Sequence, residues 1–414
     1  MSESTYVFPV SEGWKFVRLY FYPANYGRVL APNAIFSVSS GPLTLLRNFS
    51  SYITSKARNL DHLLYEFSIY ARDGFLNLTF TPSPHVPNAY GFVNGIEIVS
   101  MPNIFSETAR VVLDDRLPPH TYPVSKESAL QTVVRLNVGG RDISPVEDSG
   151  LFRAWYDDSP YIYGAAFGVA FSSQLSKGIE FTAAVPPYMA PSQVYETARS
   201  MGSPYINQYY NLTWIFPVDA GFNYLVRLHF CEIKSVIYKQ NQRVFKIFLH
   251  NQTAEKGADV ILWGGKKNGV PVYQDYFVLM SYDTSPELWV ALHPNTASGS
   301  QYYDAILNGI EIFKLSDHGG NLGGPNAVLP VGYTESQTRN WKNGKLAAVL
   351  VGAVAVVSLA YVAFIAFSRW ASYVDAQRLP FTELSQGNNK RKRPIVISKS
   401  WGPFSFGEMK SSWC

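Results

Sequence analysis

The chain has 414 residues, 16 % of them charged and 15 % aromatic, with 27 tyrosines. That balance excludes a disordered chain and points to an aromatic-rich β protein with room for two or three domains. The net charge of +4 sits at one end: residues 369–414 carry eight Lys/Arg against three Asp/Glu, so the tail is +5 and the rest −1, which excludes a basic nucleic-acid surface on the larger part.

Met1 to Val10 has no basic start, no apolar core of leader length and no cleavage site, so a start inside a longer protein is expected. From residue 17 the chain reads as short strands between Gly, Pro and Asn turns. Val17, Leu19 and Phe21 alternate with Arg18 and Tyr20. Leu76, Leu78 and Phe80 repeat that period of two before Pro82 ends the pairing. Four Asn-x-Ser/Thr sequons, at Asn48, Asn77, Asn211 and Asn251, would accept glycans on a secreted segment.

The run Trp155-Tyr156-Asp157-Asp158-Ser159-Pro160-Tyr161-Ile162-Tyr163 is the first candidate ligand site. Sugar rings stack their apolar faces on aromatic rings, and carboxylates accept from paired hydroxyls. The plainer reading makes Trp155 and Tyr161 framework residues that pack a loop against the sandwich. Tyr302-Tyr303-Asp304 is a second aromatic–acid group with the same two readings. A short helix is expected after Pro191, with Ser192 as its cap. Cys231 lies in an apolar run and reads as a small buried hydrophobe; the other cysteine is Cys414. The seven histidines show no metal-ligand spacing and no Gly-x-Ser-x-Gly occurs, so neither metal, cofactor nor hydrolase triad is expected.

Leu346 to Phe367 are 22 residues without a charge, which as a helix span roughly 33 Å, enough to cross a bilayer. Ala348 and Gly352 form a small-xxx-small pair that would permit homo- or hetero-dimerisation through this helix. The cluster Lys390, Arg391, Lys392 and Arg393 favours a cytoplasmic C-terminus and would hold anionic lipid heads; a solvated charge run is the plainer alternative. All four sequons precede the span, so the N-terminal part is expected outside the cell at the plasma membrane.

Two segments match in order. Val17-Arg18-Leu19-Tyr20-Phe21, Leu76 to Pro82 and Asn94-Gly95-Ile96-Glu97-Ile98 recur as Val226-Arg227-Leu228-His229-Phe230, Leu288 to Pro294 and Asn308-Gly309-Ile310-Glu311-Ile312. The second copy has an extra opening stretch, Val134 to Asn211. The first is therefore expected to lack its opening strands and to leave side chains such as Val17, Leu19 and Phe21 partly wet.

That stretch opens with Val134-Arg135-Leu136-Asn137-Val138-Gly139-Gly140, followed by Ile143-Ser144-Pro145 and Asp148-Ser149-Gly150-Leu151-Phe152-Arg153-Ala154-Trp155. It resembles the start of a malectin-like domain in plant receptor kinases of the FERONIA and THESEUS group, and the Val-Arg-Leu-His-Phe and Asn-Gly-Ile-Glu-Ile blocks resemble the same family further on. The resemblance implies tandem malectin-like β-sandwiches followed by one membrane helix. The segments are a partial first domain (5–102), a linker (103–129), a second domain (130–315), a Gly-rich stalk (316–345), the span (346–367) and a tail (368–414). Phe404 to Lys410 resembles the stretch before the kinase domain, yet no Gly-rich phosphate loop, Val-Ala-Ile-Lys, His-Arg-Asp or Asp-Phe-Gly occurs.

A non-catalytic receptor ectodomain is expected. As the resemblance implies, it would bind a cell-wall glycan or a secreted rapid alkalinization factor peptide with a small anchored co-receptor. A fragment of a full receptor serine/threonine kinase and a structural tether from cell wall to membrane are the alternatives.

Overall fold

The structure, a computed structural model, describes residues 2–329 except 107, 113–119, 165–167, 203–204 and 283–284. The first repeat supplies β1 (Ser4–Pro9), β2 (Gly13–Phe21), β3 (Ile35–Ser40), β4 (Leu43–Ser50), helix α1 (Ser51–Arg58), β5 (Leu63–Ala71), β6 (Phe75–Pro82) and β7 (Gly95–Ser100). The connection carries β8 (Thr108–Val111) and β9 (Thr121–Pro123). The second repeat begins with β10 (Leu130–Asn137), β11 (Tyr156–Asp157), β12 (Val169–Ser172), helix α2 (Ser192–Glu196) and β13 (Thr197–Ser200). It continues with β14 (Leu212–Pro217), β15 (Asn223–Phe230), β16 (Phe245–Leu249), β17 (Gln252–Ala258), helix α3 (Val260–Trp263), β18 (Val272–Leu279), β19 (Glu287–Pro294), β20 (Ile306–Leu307) and β21 (Gly309–Leu315).

The fold is all-β, as the strand-period blocks require. In the first repeat the sheet β1-β6-β3-β4 faces β7-β2-β5; in the second, β14-β19-β16-β17 faces β21-β15-β18. The strand order is the same in both, so the sequence repeat is also a structural one. Val17, Leu19 and Phe21, expected to be partly wet, are fully buried. The facing sheet of the first repeat supplies Phe36, Val38, Leu76, Leu78 and Phe80, which are enough to cover them.

One sheet runs through both repeats, in the order β7-β2-β5-β10-β21-β15-β18-β8-β9. β10 pairs with β21 from Leu130 to Asn137, but with β5 only at Leu130↔Ser68 and Gln131↔Phe67. Residues 103–129, read as a linker, add to this sheet: β8 runs parallel to β18, and the Tyr122 ring stacks on Phe277 at 3.7 Å. Ala109 and Val112 are buried there, and burial of such side chains holds the connection down.

The described part of the expected stalk lies back along β4. Thr44 N donates to Gly320 O at 2.9 Å, Leu322 N donates to Thr44 O at 2.8 Å, and Ser50 N donates to Asn326 Oδ1 at 2.8 Å. Leu322 is wholly buried in the core of the first repeat. Glycine here serves close approach rather than flexibility, since a Cβ on Gly323 would lie 2.5 Å from Arg47 Cβ.

The expected helix after Pro191 forms as Ser192–Glu196, with Pro191 rather than Ser192 at the cap position. Two others went unread. Ser50 Oγ accepts from Ile53 N at 3.2 Å to start α1, and Asp259 accepts from Leu262 N to start α3. Cys231 is buried and unpaired, and burial pushes its thiol pKa up. The predicted span 346–367 and the cluster Lys390–Arg393 lie outside the described residues; among the described residues no helix is long and apolar enough to cross a membrane.

Candidate functional site

The alternating strands place an arginine at the middle of three Val-Arg-Leu blocks, and the sheet sets each beside a carboxylate. Crossing the sheet from β7 to β18, the side chains read Glu97, Arg18, Glu66, Arg135, Glu311, Arg227 and Asp275, alternating in sign throughout. The successive N–O separations are 3.0, 2.7, 3.0, 2.7, 3.9 and 2.8 Å. Most members are buried; Glu97 is the partly exposed end. Burial alone would push the carboxyls of Glu66 and Glu311 up. Arg135 and Arg18 around Glu66, and Arg135, His229 and Arg227 around Glu311, outweigh it and hold both below the usual carboxylate range.

His229 joins the row from β15. Its Nε2 lies 3.1 Å from Glu311 Oε2 and its Nδ1 2.9 Å from Tyr195 Oη. Burial pushes the imidazole pKa down against the pull of Glu311. A neutral ring satisfies both contacts by donating from Nε2 and accepting at Nδ1.

Over this row, between the repeats, the sheet splits. Pairing of β5 with β10 stops at Gln131, and the strands part into a groove of about 180 Å³. Its floor contains Arg18, Glu66 and Arg135, and its walls include Tyr20, Phe152, Tyr156 and Tyr161. Tyr20, Phe152 and Tyr156 are 37, 49 and 51 % exposed, an unusual concentration of open rings over buried charge. Phe152 has φ of +54°, a strained backbone for a bulky residue, and the neighbouring Leu151 carbonyl accepts from Arg18 Nη2 at 2.8 Å. A loop of the second repeat is thus tied to the first and presents its ring to the groove. The set can stack on the flat apolar face of a ligand and offer Tyr20 Oη, which donates to Glu97 at 3.0 Å, at the rim.

The expected ligand residues part company here. Tyr156 and Tyr161 reach the groove. Trp155 is fully buried between the Arg135 and Arg153 guanidinium groups, and its Nε1 donates to Asp148 at 3.3 Å. Asp158, also buried, accepts from Gly139 N, both Arg199 Nε and Nη2, and Trp214 Nε1, at 2.7–2.9 Å. Asp157 accepts from the backbone and hydroxyl of Ser159, a local turn. Tyr163 lies on the outer face of the β14-β19-β16-β17 sheet, its ring 5.2 Å from Trp289. Asp304 is buried against Arg243 at 2.8 Å and Met201 N at 2.9 Å; Tyr302 N donates to Gln242 O, and only Tyr303 of that trio is well exposed. Tyr20, Phe152 and the charged row went unread; the three Val-Arg-Leu blocks with paired Asn-Gly-Ile-Glu-Ile blocks carried the signal for the row.

Asn48, Asn211 and Asn251 are exposed, and Asn77 is half-buried with its Oδ1 accepting from Gly41 N at 3.1 Å. Among the described residues no group of His, Cys, Asp and Glu is placed to hold a metal ion.

The family model of the malectin-like domain matches residues 1–315. The receptor-like protein kinase FERONIA of Arabidopsis thaliana is 50 % identical over 333 residues, which cover 79 % of this chain and 36 % of that protein. ANXUR1 of the same species, also a receptor-like protein kinase, is 38 % identical over 382 residues, 89 % of this chain and 44 % of that protein. The chain thus spans less than half the length of these curated relatives. The crystal structure of the plant receptor-like kinase FER matches with a TM-score of 0.74 at 50 % identity, over 79 % of this chain and 84 % of that one. A crystal structure of plant peptide RALF23 in complex with FER and LLG2 matches with a TM-score of 0.73 at 49 % identity, over 80 % and 85 %. With tandem facing sheets, this register of repeats and the family model over three-quarters of its length, the chain belongs to the malectin-like domain family, alongside FERONIA and ANXUR receptor-like kinases.

Proposed function

We propose that this chain is the ligand-binding ectodomain of a plasma-membrane receptor, recognising a secreted peptide of the rapid alkalinization factor type together with a small anchored co-receptor. The observation that carries it is the 49 % identity, over four-fifths of the chain, to a structure solved with RALF23 and LLG2. The chain itself is non-catalytic in this reading, because the kinase sequence blocks are not in it. Its membrane attachment rests on the uncharged run 346–367. Purified full chain in detergent, titrated with a synthetic peptide of this class, should show saturable binding that tightens when the co-receptor is added. No binding in the presence of the co-receptor sinks the peptide reading.

A second reading is favoured by the groove: its open rings suit the flat face of a cell-wall sugar. Here Tyr156→Ala should leave the fold intact and abolish retention on a pectic oligosaccharide. Retention unchanged by that substitution removes the groove from consideration.

A further inference from the structure

We propose that the N-glycan carried by Asn251 folds back on the protein, its first sugar against Phe248 and the next over Trp289, covering the outer face of the β14-β19-β16-β17 sheet. This rests on the reading of the chain as a secreted ectodomain. Asn251 sits in a two-residue hairpin between β16 and β17, where His250 has φ of +47° and Asn251 of +61°. That turn returns the chain directly on itself. Asparagine tolerates this backbone, and here it is also the acceptor of an Asn-Gln-Thr sequon.

The hairpin register sets the sequon threonine beside a ring: Phe248 and Thr253 are cross-strand partners. In the next strand Ala291 is the partner of Phe248, and His250 N donates to Trp289 O at 2.8 Å. Asn251, Phe248 and Trp289 therefore border one shallow depression of about 400 Å³, which Lys246, His293 and a second sequon asparagine, Asn211, also line. Phe248 and Trp289 are half-buried, and the Tyr163 ring holds the indole from one side. The open ring faces match the C–H face of a pyranose, and Lys246 supplies a polar partner for its hydroxyls.

A sugar tethered inside the depression acts at an effective concentration on the order of millimolar, so a free glycan would have to displace it. The occupant of this face is therefore the chain's own glycan rather than a diffusing ligand or a partner protein.

The test uses the full chain expressed in plant cells and purified in detergent. Site occupancy is read by mass spectrometry, and hydroxyl-radical oxidation of aromatic side chains is compared before and after enzymatic removal of glycans from the folded protein. Asn251 should be occupied, and oxidation of Trp289 and Phe248 should rise several-fold on removal while exposed Tyr156 and Tyr238 stay unchanged. An unoccupied Asn251 beside an occupied Asn48 or Asn211 overturns the proposal alone, and a chain with no occupied sequon overturns the secreted reading with it. An occupied Asn251 with unchanged Trp289 oxidation overturns the proposal alone. The Asn211→Gln variant should keep Trp289 protected; loss of protection there assigns the face to the other glycan and overturns it as well.

Discussion

Arg135 Nη2 lies 3.0 Å from Glu66 Oε1, and this ion pair joins strands of different repeats at a point where they no longer share backbone hydrogen bonds. Thr132 Oγ1 donates to the same carboxylate oxygen at 2.6 Å. Together with Arg18 on its other oxygen, Glu66 is held from both repeats at once.

Removing one partner of a buried pair strands the others. Glu66→Ala leaves Arg18 with Glu97 alone and Arg135 with Glu311 alone, the two guanidinium groups facing each other across the vacated site, and should cost about 3–5 kcal/mol. Because the loss falls at the junction, calorimetry should show the first repeat melting in a separate transition below that of the parent. A variant that unfolds in one transition at the parent temperature would show that the pair does not couple the repeats.

The pH dependence follows from the direction of each shift. Glu66 and Glu311 titrate below their unfolded value of about 4.3, so the stability they contribute is complete above it and is lost as pH falls through and below it. His229 is pushed below its unfolded value of about 6.5, so the unfolded state binds that proton first and stability begins to fall under pH 6.5. The melting temperature should be level near pH 7 and decline steadily towards pH 4. His229→Gln should flatten the upper part of that decline and leave the lower part. Greater stability at pH 5 than at pH 7 would reverse the sign and refute the assignment.

The strap formed by residues 316–329 should matter to the first repeat. Leu322→Ala removes a side chain wholly buried in that core and should cost about 2–5 kcal/mol. Amide exchange should quicken in β4, whose Thr44 bonds the strap in both directions, and stay slow in β15. Uniform exchange changes across both strands would show that the strap is not specific to the first repeat.

The strands were legible because alternation and the repeat are written in short blocks: Val17, Leu19 and Phe21 pack where their period puts them. The burial of Arg18 and Arg227 was not legible. A charged residue on the second face of a strand reads as solvent-facing, and it is buried here only because neighbouring strands, distant in sequence, each bring an opposite charge into register. The site divided for the same reason. Tyr156 and Trp155 are adjacent in sequence and point to opposite sides, so one lines the groove and the other fills the core. The strap went unread because Gly320 and Gly323 look flexible until Leu43 and Arg47 are seen pressed against them.

Residues 5–102 alone should not form a cooperative domain. β5 would lose β10, Glu66 would lose Arg135, and the core would lose Leu322 and Ala129. Domains have only about 5–15 kcal/mol in reserve, and these losses together consume most of it. Slow, cooperative amide exchange in the isolated segment would show that it is self-sufficient.

The strap also decides how the protein bears tension. A pull on the chain at residue 329 does not act first on β21, the central strand that ends at Leu315. It is taken up by the bonds of Gly320, Leu322 and Asn326 to Thr44 and Ser50, which belong to the repeat at the opposite end of the sequence. Stretching therefore loads the N-terminal repeat before the C-terminal one.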